Sequence, residues 1–325
     1  MTVLVTGATG LVGNNGVRAL LERGETVRVL VRNSSDPRPL EGLEVEKFYG
    51  DVRDVESVRR ASQGMDWVIH AAAKVEVGWT GLGEFRAINV EGTRNVAQAV
   101  RENGARMIHV SSVDTLGIRT KENPADEECP PDDRNVLNPY VITKREAEQV
   151  VLEEISRGLD AVIVNPTLML GPWDWRPSSG RALLHVAKGR GLMAPPSGNN
   201  VVDVRDVVGG ILAAAEKGQT GHRYILGGEN LTYLEAFTLF AEITGARRPW
   251  GIAPRWILES ISRIGDFWGK VVGKEPEINS AAIAFGYVPH YFSSRKALRE
   301  LGYSSRPVRE AAIAAWDWFR KYGYA

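Results

Sequence analysis

The chain reads as an α/β protein: a doubly wound parallel sheet followed by a smaller, mainly helical C-terminal part. Three observations carry that reading. Short β-branched runs alternate with longer helical patterns through the first half, as crossover units covering both faces of a parallel sheet require. Three glycines, each three apart, lie between the first strand and the first helix. After Asn165-Pro166 the rhythm gives way to a loop rich in Pro, Gly, Trp and Ser, and then to mostly helical segments.

Taken in order, strands are expected at Val3–Thr6, Val27–Val31, Val45–Tyr49, Trp67–His70, Met107–Val110 and Ala161–Val164, where β-branched and aromatic residues cluster. Helical periodicity is expected over Leu11–Arg23, Phe85–Glu102 and Pro139–Ser156. The last of these opens on an Asn138 N-cap with Pro139 in the first turn. Beyond residue 165, Asp206–Lys217, Leu231–Thr244, Trp256–Val271 and Val308–Tyr322 read as helices and His222–Leu226 as a strand.

Composition narrows the function classes. Forty basic residues balance 40 acidic ones over 325 residues, so the basic excess that phosphate backbones or anionic membrane surfaces demand is missing. A small molecule is the expected partner, with no nucleic acid and no membrane; a homodimer is the candidate assembly. Cys129 is the single cysteine, which excludes an internal disulfide framework and a cysteine-based zinc cage. No apolar run approaches the roughly 18 residues of a membrane span, and the chain opens directly into a strand, so a cytoplasmic protein is expected. The five histidines show no metal-ligand spacing, and no metal is expected.

The glycine turn is the first chemical signal. In Val5-Thr6-Gly7-Ala8-Thr9-Gly10-Leu11-Val12-Gly13, residues without a β-carbon would let the chain turn tightly and bring helix N-terminal amides against a pyrophosphate. Gly7, Thr9, Gly10, Leu11, Val12 and Gly13 are therefore expected to hold a dinucleotide, and the first half to form a Rossmann fold. The dinucleotide-binding domain is placed at residues 1–165, with a return of the chain at about 200–228; residues 166–325 then form mainly a substrate-binding domain. At the end of the second strand, where an acidic residue would favour NAD, the sequence runs Val31-Arg32-Asn33. Arg32, assisted by Arg38 or by the Ser34 and Ser35 hydroxyls, is suited to clamp a 2′-phosphate, so NADP is favoured over NAD. Asp51, followed by Val52 after the third strand, would either accept from the adenine amino group or cap the next helix.

Tyr140-Val141-Ile142-Thr143-Lys144 is the second signal. At about 100° per residue, Tyr140, Lys144, Ala147 and Val151 share one helix face, so a lysine lies on the apolar stripe. Either its stem packs while the ammonium reaches water, or it serves chemistry. Ser111 and Ser112 end the strand at Met107–Val110, and ligands of doubly wound sheets sit at the carboxyl ends of strands. Ser112, Tyr140 and Lys144 together would make an acid/base set. The Lys144 ammonium, with the nicotinamide charge, would lower the Tyr140 phenol from about 10 toward neutrality, and Ser112 would hydrogen-bond the reacting oxygen.

With these motifs in register the chain resembles the extended short-chain dehydrogenase/reductases. The resemblance rests on the TGATGLVG turn, GDVRD at 50–54, His70-Ala71-Ala72-Ala73, Asn89-Val90-Glu91-Gly92-Thr93, Ser111 to Gly117, Tyr140 to Lys144, and Asn165-Pro166 to Gly171-Pro172. It implies that Asn89 orients the lysine through a water, and that Lys144 and Tyr140 also meet the cofactor. The Ala71, Ala72 and Ala73 backbone, Ser111, Asn165, Pro166 and Thr167 are implied to line it. Asn14-Asn15-Gly16, Leu116, Leu168 to Leu170 and Asp203 depart from the usual pattern. Within the family the chain is most similar to the branch of dihydroflavonol-reductase-like enzymes and hopanoid-associated sugar epimerases, through Val27 to Arg32, Val164 to Thr167 and Tyr224 to Thr232.

Three functions follow as expectations. The first is an NADP(H)-dependent reductase of a ketone or aldehyde with Tyr140 as general acid. The second is a nucleotide-sugar epimerase or dehydratase that retains its cofactor, for which Arg176, Arg181, Arg190 and Arg205 are available as diphosphate contacts. The third is a non-catalytic NAD(P)-binding scaffold or sensor. Trp79, Leu82, Met169, Trp173 and Trp175 would suit the less polar substrate of a reductase.

Overall fold

A computed structural model of the chain describes residues 1–132, 138–272 and 279–325. Its centre is a seven-stranded sheet in the order β3-β2-β1-β4-β5-β6-β9, all parallel. The strands are β1 Thr2–Thr6, β2 Thr26–Val31, β3 Glu46–Tyr49, β4 Trp67–His70, β5 Arg106–Val110, β6 Asp160–Pro166 and, after two short strands described below, β9 Arg223–Leu226. Apart from the exposed edge strand β3, their central residues are buried, Val3, Leu4, Val5, Met107, Ile108 and Val162 completely, as continuous apolar runs covered on both faces must be. One face carries α1 (Leu11–Glu22) and α7 (Val204–Lys217), the other α2 (Val55–Ser62), α4 (Gly92–Asn103) and α5 (Pro139–Ser156).

The sheet order reverses at β1, because β2 and β3 lie on one side of it and β4 on the other. That reversal opens a crevice at the carboxyl ends of β1 and β4. The helix expected over Phe85–Glu102 is in fact three pieces: α3 (Leu82–Phe85), a π-helical stretch Arg86–Glu91, and α4. The wide turn carries Asn89, and π-bulges of this kind recur at functional positions.

Beyond residue 165 the expected helices form, but the region is less purely helical than its periodicity suggests. A three-stranded sheet in the order β10-β8-β7 joins β7 (Leu168–Leu170), β8 (Gly198–Asp203) and β10 (Glu229–Thr232). These strands are only three to six residues long and flanked by Gly and Asn, so they leave little periodic signal. With α6 (Arg181–Ala187), α8 (Tyr233–Thr244) and the C-terminal helix α12 (Val308–Lys321) they enclose a second core. The loop tryptophans belong to it: Trp173 and Trp175 pack on Trp318 and Tyr322, with centroids 4.9–6.4 Å apart, and the Arg18 guanidinium lies 3.3 Å from the Trp173 centroid. They are core aromatics and not the substrate contacts expected of them. The remaining helices are α9 (Arg255–Val272), α10 (Ser280–Phe285) and α11 (Arg295–Leu301).

Two departures in the motifs have local reasons. Asn14 is fully buried and donates to the carbonyls of Pro39 (2.6 Å) and Ala8 (3.3 Å), while Asn15 donates to Leu11 and Pro172 (both 2.9 Å). The asparagine pair ties the first helix to two loops that an apolar pair would leave unbonded. Asp203 caps α7, accepting from the Arg205 amide at 2.8 Å, and pairs with the Arg205 guanidinium at 2.6 Å. That pairing commits Arg205 structurally.

Candidate active site

The glycine turn is shaped by contact as much as by conformation. Gly7 takes φ +71°, and a Cβ there would lie 2.6 Å from the Ala71 carbonyl group; a Cβ on Gly13 would lie 2.2 Å from the Gly7 oxygen. These two glycines let the loop, the exit of β4 and α1 close together. Gly10 differs, since its Cβ would meet only the Gly7 oxygen, at 3.4 Å. It caps α1 without a side-chain bond and faces a cavity of about 640 Å³, so the positive end of the helix is turned to that space.

The cavity runs from Gly7, Ala8, Thr9, Gly10 and Leu11 past Val31 and Arg32 to Asp51 and Val52, and along Ala71, Ala72, Ala73 and Lys74. A glycine cradle with a helix N-terminus, room for a dinucleotide and an arginine at the end of the second strand fits an NAD(P) molecule. Val12 and Gly13 stand behind the wall. The opposite wall brings Arg176 and Arg181, 140 residues or more downstream, into the same space. Sequence reasoning gave these arginines to a substrate diphosphate; here they face the glycine turn. Nothing local to residues 176–181 signals that placement, because the loop crosses to the turn only in the folded chain.

A second cavity of about 410 Å³ adjoins at Arg32, Ser34, Asp51 and Arg53. Arg53, unremarked in the sequence, thus joins Arg32 at the strand end. The Arg53 guanidinium bonds the Asp51 carboxylate at 2.7 Å and holds it below the ordinary carboxylate range. The cap of α2 is Asp54, which accepts from the Glu56 amide, so the capping alternative for Asp51 gives way. Arg38 lies outside both walls: it is bound to Asp36 at 2.6 Å, with its guanidinium 5.3 Å from the Trp175 centroid. Asp36 is two residues away and reachable without strain, which is why Arg38 does not assist Arg32 as expected.

At the carboxyl end of β5 Ser112, Tyr140 and Lys144 converge, none of them among the residues that line either cavity. Ser112 caps a short 3₁₀ turn, Val113–Thr115; its hydroxyl donates to Asp114 Oδ2 at 2.9 Å and acts on the neighbouring Tyr140 phenol. Lys144 is buried, 4% exposed, and its Nζ donates to the Val110 carbonyl at 2.8 Å. Lys144 therefore does not snorkel to water. Burial pushes its amine down to about 8, against the opposing pull of Glu148 and Asp114. The Tyr140 phenol is raised above its ordinary value, first by loss of water and then by the Asp114 charge, with the Ser112 bond acting the other way. The direction is opposite to the expected lowering by Lys144, because loss of water outweighs every other influence and the charge acting on the phenol is the Asp114 carboxylate, which was not anticipated.

The supporting residues are placed more firmly than their expected roles suggested. Asn89 Oδ1 accepts from the Lys74 amide (2.7 Å), and its Nδ2 donates to the Lys74 carbonyl (3.1 Å) and to Thr143 Oγ1 (3.0 Å). It locks the residue preceding Lys144 to the segment after β4. Asn165, fully buried, donates to the Ser112 carbonyl (2.9 Å) and to Glu148 (2.8 Å), so it supports the serine turn from below; it is not part of the cavity wall. Ser111, Pro166 and Thr167 are likewise buried behind the wall. His70 is bracketed by Thr6 (2.8 Å) and Thr93 (3.0 Å), and burial pushes it down to about 3, so it is a neutral packing group. Among the described residues no group of His, Cys, Asp and Glu could hold a metal, and no helix is long and apolar enough to cross a membrane.

Comparison with known proteins agrees with this geometry. The model of the NAD dependent epimerase/dehydratase family matches residues 3–227. Sterol demethylase protein B of Methylococcus capsulatus is 38% identical, with 99% of each chain covered. A provisionally named dihydroflavonol 4-reductase of Synechocystis sp. is 33% identical over 98% of this chain and 95% of that one. Among solved structures, a nucleoside-diphosphate-sugar epimerase from Pseudomonas aeruginosa superposes with a TM-score of 0.83 at 26% identity, covering 100% and 99%. The chain belongs to the NAD dependent epimerase/dehydratase family, an enzyme family within the extended short-chain dehydrogenase/reductases.

Proposed function

We propose that the protein is an NADP(H)-dependent reductase that converts a ketone or aldehyde of apolar character to the alcohol. The observation that carries the reading is the convergence of Ser112, Tyr140 and Lys144 at the end of β5, where Ser112 acts on the Tyr140 phenol and Lys144 is fixed to the Val110 carbonyl. When bound in the glycine-lined cavity, reduced nicotinamide supplies the hydride. Tyr140 gives its phenolic proton to the carbonyl oxygen, Ser112 hydrogen-bonds that oxygen, and the buried Lys144 provides the positive charge that eases loss of the proton. Arg32 favours a 2′-phosphate at the adjoining cavity, where Arg53 is held by Asp51.

Two features favour reduction over nucleotide-sugar epimerisation. Arg176 and Arg181 face the glycine turn, and Arg205 is committed to Asp203, so three of the four arginines available for a substrate diphosphate are engaged elsewhere. The full-length relatives named for a sterol and a dihydroflavonol also suit a polycyclic, weakly polar substrate.

The test mixes protein and NADPH with a panel of cyclic and aromatic ketones and aldehydes and, separately, with UDP- and dTDP-sugars. Stoichiometric loss of NADPH absorbance is expected with a carbonyl; sugar interconversion without net change would replace this reading by the epimerase. Tyr140→Phe is expected to abolish turnover while NADPH still binds. Turnover within about threefold of the parent would exclude Tyr140 as the acid.

A further inference from the structure

Behind Ser112 lies a pair of ionisable groups, Asp114 half-buried and His290 buried, that the reaction as described does not use. Asp114 Oδ2 accepts the Ser112 hydroxyl at 2.9 Å, and its other oxygen, Oδ1, lies 3.4 Å from His290 Nε2. His290 is 1% exposed and its ring stacks on Phe285, centroids 5.3 Å apart and planes within 5°. Its other nitrogen, Nδ1, is 3.0 Å from the Val288 carbonyl oxygen.

A carbonyl oxygen can only accept, so Nδ1 must carry a hydrogen. In a neutral ring Nε2 would then present a lone pair to a carboxylate oxygen, two acceptors face to face in a buried site. Nε2 makes no hydrogen bond among the described residues, to Asp114 or to any other group. The contact becomes attractive only when a proton lies between the two groups, as imidazolium with carboxylate or as imidazole with carboxylic acid.

We propose that Asp114 and His290 together hold one proton and pass it through Ser112 to Tyr140 after Tyr140 has protonated the substrate. The relay rests on the reductase reading; the stored proton does not. The substrate oxygen takes the Tyr140 proton and the phenolate takes the Ser112 hydroxyl proton. Ser112 is reprotonated from Asp114, which takes the proton from the imidazolium, and one solvent proton reloads the pair. The hydride and its electron pair come from reduced NADP. The Asp114 side chain is 16% exposed, which gives the solvent proton an entry that the enclosed ring lacks. Asn89 is engaged by Lys74 and Thr143 and Lys144 by Val110, whereas Ser112 already donates to Asp114, whose other oxygen lies 3.4 Å from His290. The charged and titratable groups facing the pair are Tyr140 and Lys144 from α5 and Tyr233 from α8. Asp114 and His290 act through Ser112 and are positioning residues, not groups that touch substrate.

Two measurements on the full chain decide the matter. Nitrogen-15 NMR of labelled histidine, with His290→Gln to assign the signal, reads the ring directly. The parent is expected to show Nδ1 protonated, with a pH titration of His290 that is lost or displaced in Asp114→Asn. A neutral ring protonated at Nε2, or identical His290 signals in parent and Asp114→Asn, would overturn the stored proton. In kinetics with NADPH and α-tetralone, both variants are expected to lose about tenfold or more in kcat, with KM and NADPH affinity within about threefold. In His290→Gln the kcat profile should fall from a lower pH than in the parent, because the stored proton then has one group to hold it instead of two. Asp114→Glu is expected to recover part of kcat. Parental kcat and pH profile in both variants, with Tyr140→Phe inactive, would sink the relay and leave the reductase reading standing. A parent that reduces no carbonyl would sink the reductase reading and the relay with it, and the NMR result then decides the stored proton by itself.

Discussion

Placing one methyl group on Gly13 tests whether the first turn is built by contact between backbones. In Gly13→Ala the new Cβ would sit 2.2 Å from the Gly7 oxygen, 2.7 Å from the Gly7 carbonyl carbon and 3.0 Å from the Ala8 Cα, against 3.4 Å or more for ordinary contact. All three are backbone atoms, so no rotamer change relieves the clash, and the loop must retreat by about 1 Å. Gly7 cannot retreat freely, because it is itself backed by the Ala71 carbonyl group. Its oxygen also accepts the Gly10 amide at 2.9 Å. Overpacking of this kind costs about 1–3 kcal/mol, and it displaces the amides that would face a pyrophosphate. Gly16, one turn further along the same helix, is the control: its Cβ would meet nothing within 4 Å, so Gly16→Ala is expected to gain about 0.5–1 kcal/mol from helix propensity. Urea unfolding followed by tryptophan fluorescence, with NADPH titration of each variant, separates the two. Gly13→Ala should lose stability and about tenfold or more in NADPH affinity, whereas Gly16→Ala should gain stability and bind as the parent does. If Gly13→Ala binds NADPH like the parent and unfolds at the same urea concentration, the close-contact argument is wrong.

Lys144→Met is expected to abolish turnover yet stabilise the fold at neutral pH. The buried amine sits at about 8 against 10.5 for an exposed lysine, so keeping it charged costs about 3 kcal/mol below pH 8, offset by about 1 kcal/mol from its bond to the Val110 carbonyl. Because the unfolded chain binds the extra proton between pH 8 and 10.5, parental stability should rise across that window, and the advantage of Lys144→Met should fade there; urea unfolding at pH 7 and pH 10 reads it. Arg32→Ala should weaken NADPH by about 10–100-fold and NADH by less than about threefold, measured by fluorescence titration; equal losses would remove Arg32 from the phosphate. Glu148→Gln should cost about 1–3 kcal/mol in unfolding experiments, because the carboxylate accepts from Thr115, Asn165 and Arg223 and an amide cannot accept from all of them. A neutral result would mean that this buried network contributes little.

The sequence by itself determined the parts whose signal is local. The parallel strands announce themselves because both faces are covered and each run must be apolar, and the glycine turn because close backbone approach leaves glycine alone admissible. Tyr140 and Lys144 share a helix face through the pitch of the helix alone. What the tertiary structure decided are meetings between residues far apart in the chain. His290 reaches Asp114 across 176 positions, Arg176 and Arg181 cross to the glycine turn, and Asn165 closes under Ser112. The direction of the Tyr140 shift belongs with these, since it depends on the loss of water around the phenol and on which charge lies nearest. Spacing along a strand or helix sets only which side chains are neighbours within one element. Desolvation and Coulomb interactions fall off over a few ångströms of space, and those ångströms exist only once the elements have packed.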